Sequence, residues 1–150
     1  AATLPGVVTR PDVHALEHSL EVHLPFLQVV LPEASVVPLA VGEAAPGVVA
    51  DVLEELWDGD SAIVVSTDLS HYLPYEVAQE ADAATLAHIM ALDEVAPDAA
   101  CGARPLNGLL AWARRRGALP ELLHACNSGD TAGSRDRVVG YAALALREAA

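Results

Sequence analysis

Apolar residues recur at helical spacing in four stretches of this chain. Within each stretch they return every third or fourth position, which is typical of an amphipathic helix. The predicted helices cover residues 19–31, 46–57, 74–92 and 105–116. Ser19 is the expected N-cap of the first helix, and Gly117 is the expected C-cap of the last.

Continuous apolar runs between these helices predict buried strands. The runs are residues 35–41, 61–66, 120–126 and 137–147, and the last one fits a helix equally well. Strands that alternate with amphipathic helices indicate an α/β protein. We expect a three-layer sandwich with a mixed, mostly buried central sheet and helices on both faces. The length of the chain, 150 residues, is typical of one domain, so we expect residues 1–150 to form a single domain.

The charge excludes one class of partner and leaves others open. The formal net charge is −13, and the only basic cluster is Arg114 to Arg116. Binding to nucleic acid needs clustered cations, so it is not expected.

No uncharged stretch approaches the ~18 residues that would span a bilayer, and no leader pattern is visible, so we expect a cytoplasmic protein without a membrane partner.

One polar cluster follows the run at residues 61–66. The sequence AIVVSTDLSHY, residues 62–72, places Asp68 and His71 where the predicted strand ends. Ligand sites in α/β proteins lie beyond the carboxyl ends of strands. His71 is therefore a candidate acid/base whose orientation Asp68 would fix. The alternative is that Asp68 caps a turn and His71 is an ordinary surface residue.

Two further stretches carry residues capable of chemistry. EHSLEVHLP, residues 17–25, contains His18, Glu21 and His23. On one helix the two histidines would point about 140° apart, so this stretch is interpreted as pocket lining or as a helix start rather than a two-histidine clamp. CGARP, residues 101–105, offers Cys101 as a nucleophile with His71 or as a small buried apolar residue.

These stretches, in this order, resemble the Memo-like family, also called the AmmeMemoRadiSam system protein B family. Residues 17–27 resemble its EHS helix motif, residues 66–72 its SSD-x-x-H strand end, and residues 101–106 its CG-x-x-P loop. Residues 128–143 resemble its SGD and VGYAA segment. The family resembles class III extradiol dioxygenases of the LigB type, which implies an α/β sandwich around non-haem metal.

The resemblance implies a role for each site residue. Cys101 matches a metal ligand, His71 the acid/base histidine and Asp68 its partner. His18, Glu21 and His23 are carried over as pocket lining, and Arg104 lies close to Cys101 in sequence. The expected cofactor is a non-haem metal ion, iron or copper in preference to zinc. A dioxygenase-like or redox enzyme is implied only by analogy of fold.

The chain also departs from the family pattern. The family's metal histidines lie in a Gly-Pro-His-Ala-Gly-Tyr stretch and a Ser-His-His stretch, and this sequence has neither. It resembles the C-terminal half alone, so we expect a fragment, a split subunit or a degenerate relative. The metal site would then need ligands absent from this chain.

The expected partners follow from the same departure. They are an unknown small molecule or peptide, a second copy of the chain, or the missing N-terminal half. The resemblance also implies radical SAM system partners. The alternative functions are a phosphopeptide or protein-interaction module, in which Arg104 is the arginine placed for phosphate, and a non-catalytic subunit that pairs with another chain.

Overall fold

Six helices and three strands make up the part of the chain that the computed structural model describes, residues 4–131 and 133–148. The helices are α1 (Pro11–His14), α2 (Leu24–Val30), α3 (Pro46–Leu56), α4 (Tyr75–Met90), α5 (Ala103–Arg116) and α6 (Ser128–Thr131). The strands are β1 (His71–Leu73), β2 (Leu119–Asn127) and β3 (Val138–Arg147). The predicted α/β class is confirmed.

The three strands form one antiparallel sheet in the order β1-β3-β2. β2 and β3 pair along almost their whole length, from Leu119 opposite Arg147 to Asn127 opposite Gly140. The last apolar run of the sequence, residues 137–147, therefore forms strand β3, and the helical alternative for it is wrong. The expected sheet was mixed, whereas the described strands all pair antiparallel.

Helices α4 and α5 cover one face of this sheet. Their buried side chains, including Leu86, Ile89, Leu106 and Leu110, form a single apolar cluster. Ala142 and Leu144 of β3 pack against that cluster. On the opposite face of β3, Tyr141 is exposed. Helices α4 and α5 thus lie on the face of β3 that carries Ala142 and Leu144.

Three of the four predicted helices are confirmed. α3 begins at Pro46, where a missing N–H costs nothing because the first helical N–H groups have no partner within the helix. α5 ends at Gly117, which adopts the left-handed conformation (φ 66°) expected of a glycine C-cap. α3 packs on α5 so closely that a Cβ on Gly108 would lie 2.3 Å from Cγ1 of Val49.

The first predicted helix is much shorter than expected. α2 begins at Leu24, and Ser19 is not its N-cap. Pro25 stands in the first turn of the helix, and its ring would clash with the carbonyl of residue 21 if the helix started earlier. The turn at residues 17–19 is held instead by the Glu17 carboxylate, which accepts the backbone N–H groups of His18 and Ser19.

Two predicted strands, residues 35–41 and 61–66, are not strands in the structure. Both runs are free of helix, but neither pairs with a neighbour in the sheet. Side-chain burial still alternates through Ile63, Val64 and Val65, as it does in a strand with one covered face. What these segments lack, among the described residues, is a neighbouring strand to pair with.

None of the helices in residues 4–131 and 133–148 combines the length and the apolar character needed to cross a lipid bilayer.

Candidate metal centre

The backbone of residues 68–71 is fixed by its contact with β3. The N–H of Leu69 donates to the carbonyl of Gly140 (2.9 Å), and the N–H of Gly140 donates to the carbonyl of Ser70 (2.9 Å). The Leu69 side chain is buried in the apolar cluster under α4 and α5. The side chains of Asp68 and His71 on either side of this anchor are partly exposed.

Cys101 is held against the same stretch by two backbone contacts. Its N–H donates to the Asp68 carbonyl (3.3 Å), and its Sγ accepts the Asp68 N–H at 3.1 Å. The Thr67 hydroxyl lies 3.6 Å from the same sulfur. Cys101 is exposed and free, so the interpretation of a small buried apolar residue is wrong.

Gly102 is the residue that permits this close approach. A Cβ at this position would lie 2.7 Å from the carbonyl oxygen of Ser66 and 2.8 Å from Cβ of Thr67. Its N–H instead donates to the Thr67 hydroxyl (2.8 Å), which in turn contacts the Asp68 carbonyl (2.8 Å). The absence of a side chain at Gly102 therefore allows the segment that carries Cys101 to pack against residues 66–68.

Asp68, His71 and Cys101 form a group of potential metal ligands. One ligand atom from each residue can be chosen so that all three lie within 4.8 Å of one another. Nε2 of His71 is 3.6 Å from Oδ2 of Asp68, close to the spacing of about 3.5 Å between two ligands of one tetrahedral metal ion. Thiolate, imidazole and carboxylate are all established metal ligands, so this donor set fits a transition metal.

The other predicted site residues lie outside this group of three. The Ser66 hydroxyl donates to the Ser19 carbonyl (2.7 Å), which ties residues 17–25 to the segment that leads into β1. His18, however, is exposed beside Glu17 (3.9 Å). Glu21 is exposed and His23 is half-buried. Their role as pocket lining stays a prediction.

Arg104 lies on the first turn of α5, and its guanidinium pairs with the Glu43 carboxylate at 3.3 Å. Phosphate binding by Arg104 would require displacing that carboxylate. The phosphopeptide hypothesis stays a prediction, and a titration of a phosphopeptide against Arg104→Ala would test it.

Sequence reasoning missed one buried group that shapes this region. The Asp82 carboxylate on α4 is 8% exposed and accepts the backbone N–H of Ser70 at 2.8 Å. Gly140 makes room for it, because a Cβ there would lie 1.9 Å from Oδ2 of Asp82. The signal was present in the spacing: Asp82 falls four residues after buried Ala78 and three before buried Thr85, on the helix face that meets the core.

The geometry defines a class of protein: an α/β protein in which a cysteine, a histidine and an aspartate lie together at one end of the sheet. Residues 6–145 match the family described as Memo-like protein. A MEMO1 family protein of Methanopyrus kandleri is 38% identical over 155 residues, covering 89% of this chain and 53% of the relative. One from Archaeoglobus fulgidus is 30% identical over 160 residues, covering 96% and 61%.

The chain belongs to the Memo-like family. It spans between about half and three fifths of the length of the curated relatives that it matches.

Proposed function

We propose that this chain supplies one side of a non-haem metal centre, with Cys101 as the metal ligand. His71 is the acid/base group beside the metal, and Asp68 holds its ring. The observation that carries the proposal is the convergence of these three side chains, with ligand atoms within 4.8 Å of one another, from segments about thirty residues apart.

The donor set indicates which metals suit the site. A cysteine thiolate is a soft ligand, and with imidazole it favours copper, iron or zinc over magnesium or calcium. When bound, the metal would supply Lewis-acid or redox chemistry. The residues themselves do the remaining work: Cys101 holds the ion, and His71 takes up or releases a proton at Nε2, next to the Asp68 carboxylate.

Within residues 4–131 and 133–148, the group offers one thiolate, one imidazole and one partly exposed carboxylate, which are fewer ligands than a closed four-coordinate site has. We therefore expect weak binding by this chain and stronger binding when further ligands come from another polypeptide.

A Co²⁺ titration of the chain tests the proposal, because a cysteine–cobalt bond gives a thiolate-to-metal charge-transfer band. We expect the band at excess cobalt, its loss in Cys101→Ser, and its retention in the matched variant Cys126→Ser. The chain's other cysteine lies on β2 and is also unpaired, so it controls for non-specific thiol binding. A band that depends on Cys126 and not on Cys101 would contradict the assignment.

A second proposal concerns association with another polypeptide. Many large apolar side chains in the first part of the described chain are exposed. They are Val7, Val8, Val13, Leu16, Val22, Phe26, Val29, Val30, Leu31, Val36 and Val37. Such a surface is unusual for a free domain and typical of an interface. The partner that fits is the portion of the Memo-like relatives that this chain does not cover, which would also bring the further metal ligands.

A further inference from the structure

Most of the positive charge in this chain is paired with carboxylates. The chain has eight arginine residues and no lysine. Six of the arginines form ion pairs: Arg10, Arg104, Arg114, Arg115, Arg116 and Arg147. Within residues 4–131 and 133–148, Arg135 and Arg137 form none, although the net charge of the chain is −13. Both lie on the exposed segment that leads into β3.

These two arginine side chains lie over tyrosine rings instead. The guanidinium carbon of Arg135 is 4.3 Å from the ring centre of Tyr75, and that of Arg137 is 5.0 Å from the ring centre of Tyr72. A ring attracts a cation to its face. The N–H groups point outward in the plane of the guanidinium and stay available to an oxyanion. The two cations are therefore positioned without being neutralised.

The backbone brings the two arginines and the two tyrosines together. The Tyr75 N–H donates to the Arg135 carbonyl (3.0 Å), and Leu73 pairs with Val138 in the sheet. Arg135 and Arg137 are two residues apart, so their Cα atoms are separated by at most about 7 Å. Two long side chains that start this close together can reach one ligand.

Tyr72 adopts a backbone conformation that is uncommon for a residue other than glycine. Its φ is 59°, and the pairing of β1 with β3 is irregular between His71 and Leu73. A bulge re-aims the side chain that it carries. A bulky residue at positive φ costs free energy, and such residues cluster at ligand-binding sites. Here the ring contacts Arg137 and is still 63% exposed.

The carboxylates nearest to the arginines in sequence have other partners. Asp136 lies between the two arginines, and its carboxylate accepts the Ser134 hydroxyl at 2.9 Å. One oxygen of Asp130 accepts the Tyr75 hydroxyl, and the other accepts the Asn127 N–H. Neither carboxylate therefore occupies the guanidinium groups.

We propose that Arg135 and Arg137 bind a dianionic oxyanion, either a phosphate monoester or a dicarboxylate. The planar fork of a guanidinium matches the paired oxygens of both groups, and two charges on the ligand match two cations. This site goes beyond the proposed function, because binding there needs neither the metal nor Cys101. It adjoins the candidate metal centre, since the ring centres of Tyr72 and His71 are 5.9 Å apart.

Methyl phosphate, malonate and acetate test the site, because near neutral pH the first two carry a double charge and acetate carries a single one. Each is titrated into the ¹⁵N-labelled chain at about 0.15 M ionic strength, which screens distant carboxylates. We expect the tighter dianion to shift the amide resonances of Tyr72, Arg135 and Arg137 with one apparent Kd. That Kd should be at least roughly fivefold below the Kd of acetate. Whichever dianion binds more tightly identifies the ligand class.

Matched variants locate the binding. Arg135→Gln and Arg137→Gln should each weaken the tighter dianion roughly five- to tenfold, because each removes a charge-assisted hydrogen bond. Arg147→Gln is the control: it changes the net charge equally, but Arg147 ends β3 and is paired with Glu121 (2.7 Å). It should leave the Kd unchanged.

The ring under Arg137 is tested separately. Tyr72→Phe keeps an aromatic face and should bind the dianion as the parent chain does. Tyr72→Leu removes that face, so Arg137 loses its support and binding should weaken roughly two- to threefold.

The proposal is overturned if acetate binds as tightly as both dianions, if neither dianion shifts these resonances, or if Arg137→Gln and Arg147→Gln bind alike. Cys101→Ser separates this site from the metal centre, because it should leave the dianion Kd unchanged. If the cobalt band does not need Cys101 while dianion binding needs Arg137, the anion site holds and the metal assignment fails. If the cobalt band needs Cys101 and neither dianion binds, the reverse is true.

Discussion

At the scale of single residues, the candidate site depends on a backbone contact as much as on its ligands. Cys101 reaches Asp68 only because residue 102 has no side chain: Gly102 lies against the Ser66 carbonyl and donates its N–H to the Thr67 hydroxyl. The position of the sulfur relative to His71 is thus set by the residue that follows it.

Replacing Gly102 with alanine should separate the two segments. A Cβ at 2.7 Å from the Ser66 oxygen cannot be accommodated without a backbone shift, so we expect a loss of about 1–3 kcal/mol in the free energy of unfolding. The cobalt–thiolate band should weaken as well, because the sulfur moves from His71. Chemical denaturation and the cobalt titration measure the two effects.

Gly42→Ala is the matched control, because a Cβ at Gly42 meets no atom within 4 Å. It should leave both the stability and the cobalt spectrum close to those of the parent chain. A Gly102→Ala chain that behaves like the Gly42→Ala chain would show that the close approach is not required.

The sequence alone identified the ligand types but not all of their neighbours. Asp68 and His71 are three residues apart at the end of an apolar run, so a local pattern was enough to select them. Cys101 is thirty residues further on, and only the family resemblance made it a metal ligand beside them. The contact of Thr67 with Gly102 depends on how two distant segments pack, and no local spacing encodes it.

At the scale of elements, α4 is joined to the sheet by a buried carboxylate. Asp82 accepts the Ser70 N–H and fills the space left by the missing side chain of Gly140 on β3. A buried polar group needs hydrogen bonds, and the one that Asp82 accepts from Ser70 fixes the residue just before His71. Asp82 therefore couples the helix to the site, in addition to the apolar contact of Leu69 with the cluster under α4 and α5.

A double-mutant cycle tests that coupling. Gly140→Ala should cost about 1–3 kcal/mol of unfolding free energy, because its Cβ would lie 1.9 Å from Oδ2 of Asp82. In the Asp82→Ala background the same change should cost much less, since the clashing carboxylate is gone. Urea denaturation of the four chains gives the coupling energy, and additive effects would contradict the contact.

A second link joins the start of α4 to α6. The Tyr75 hydroxyl donates to the Asp130 carboxylate, and this hydrogen bond, followed by one from the Asn127 N–H, lowers the pKa of Asp130. The same hydrogen bond raises the pKa of Tyr75. The stabilisation is thus complete at neutral pH, lost in acid as Asp130 protonates, and lost in alkali as Tyr75 ionises.

Tyr75→Phe should remove this dependence. We expect the variant's Tm to fall less steeply than the parent's as pH drops below about 4 and as it rises above about 10. Differential scanning calorimetry across this range makes the measurement. Tyr141→Phe, which changes an exposed tyrosine on β3, is the control and should keep the parent's pH profile.

The elements differ in how far the sequence predicts them. Helices α3, α4 and α5 were predicted because their hydrogen bonds are local and their apolar stripes repeat within the segment. β2 and β3 were predicted from their apolar runs. Residues 35–41 and 61–66 have equally apolar runs, but a strand also needs a neighbour, and the sequence of one segment does not supply it.

At the scale of the whole molecule, two opposing properties govern association. The net charge of −13 makes copies of the chain repel one another. The exposed apolar side chains within residues 7–37 favour contact, and three of them lie on α2: Phe26 (73% exposed), Val29 (80%) and Val30 (68%). Salt screens the repulsion but leaves the apolar attraction in place, so association should increase with ionic strength.

We therefore expect the 15.6 kDa chain to self-associate in a salt-dependent manner and to bind a polypeptide corresponding to the uncovered part of a Memo-like relative. Replacing Phe26 and Val29 with glutamate should reduce both processes with little change in Tm, because neither side chain is buried. Val77→Glu, an exposed apolar position on α4, is the matched control. Light scattering after size-exclusion chromatography gives the mass, and calorimetric titration gives the affinity for the added polypeptide.

A chain that stays monomeric at high salt and does not bind the added polypeptide would show that this surface is not an interface. The same titration repeated with cobalt links the two proposals: if the added polypeptide brings metal ligands, the cobalt affinity should rise on mixing and fall again in Cys101→Ser.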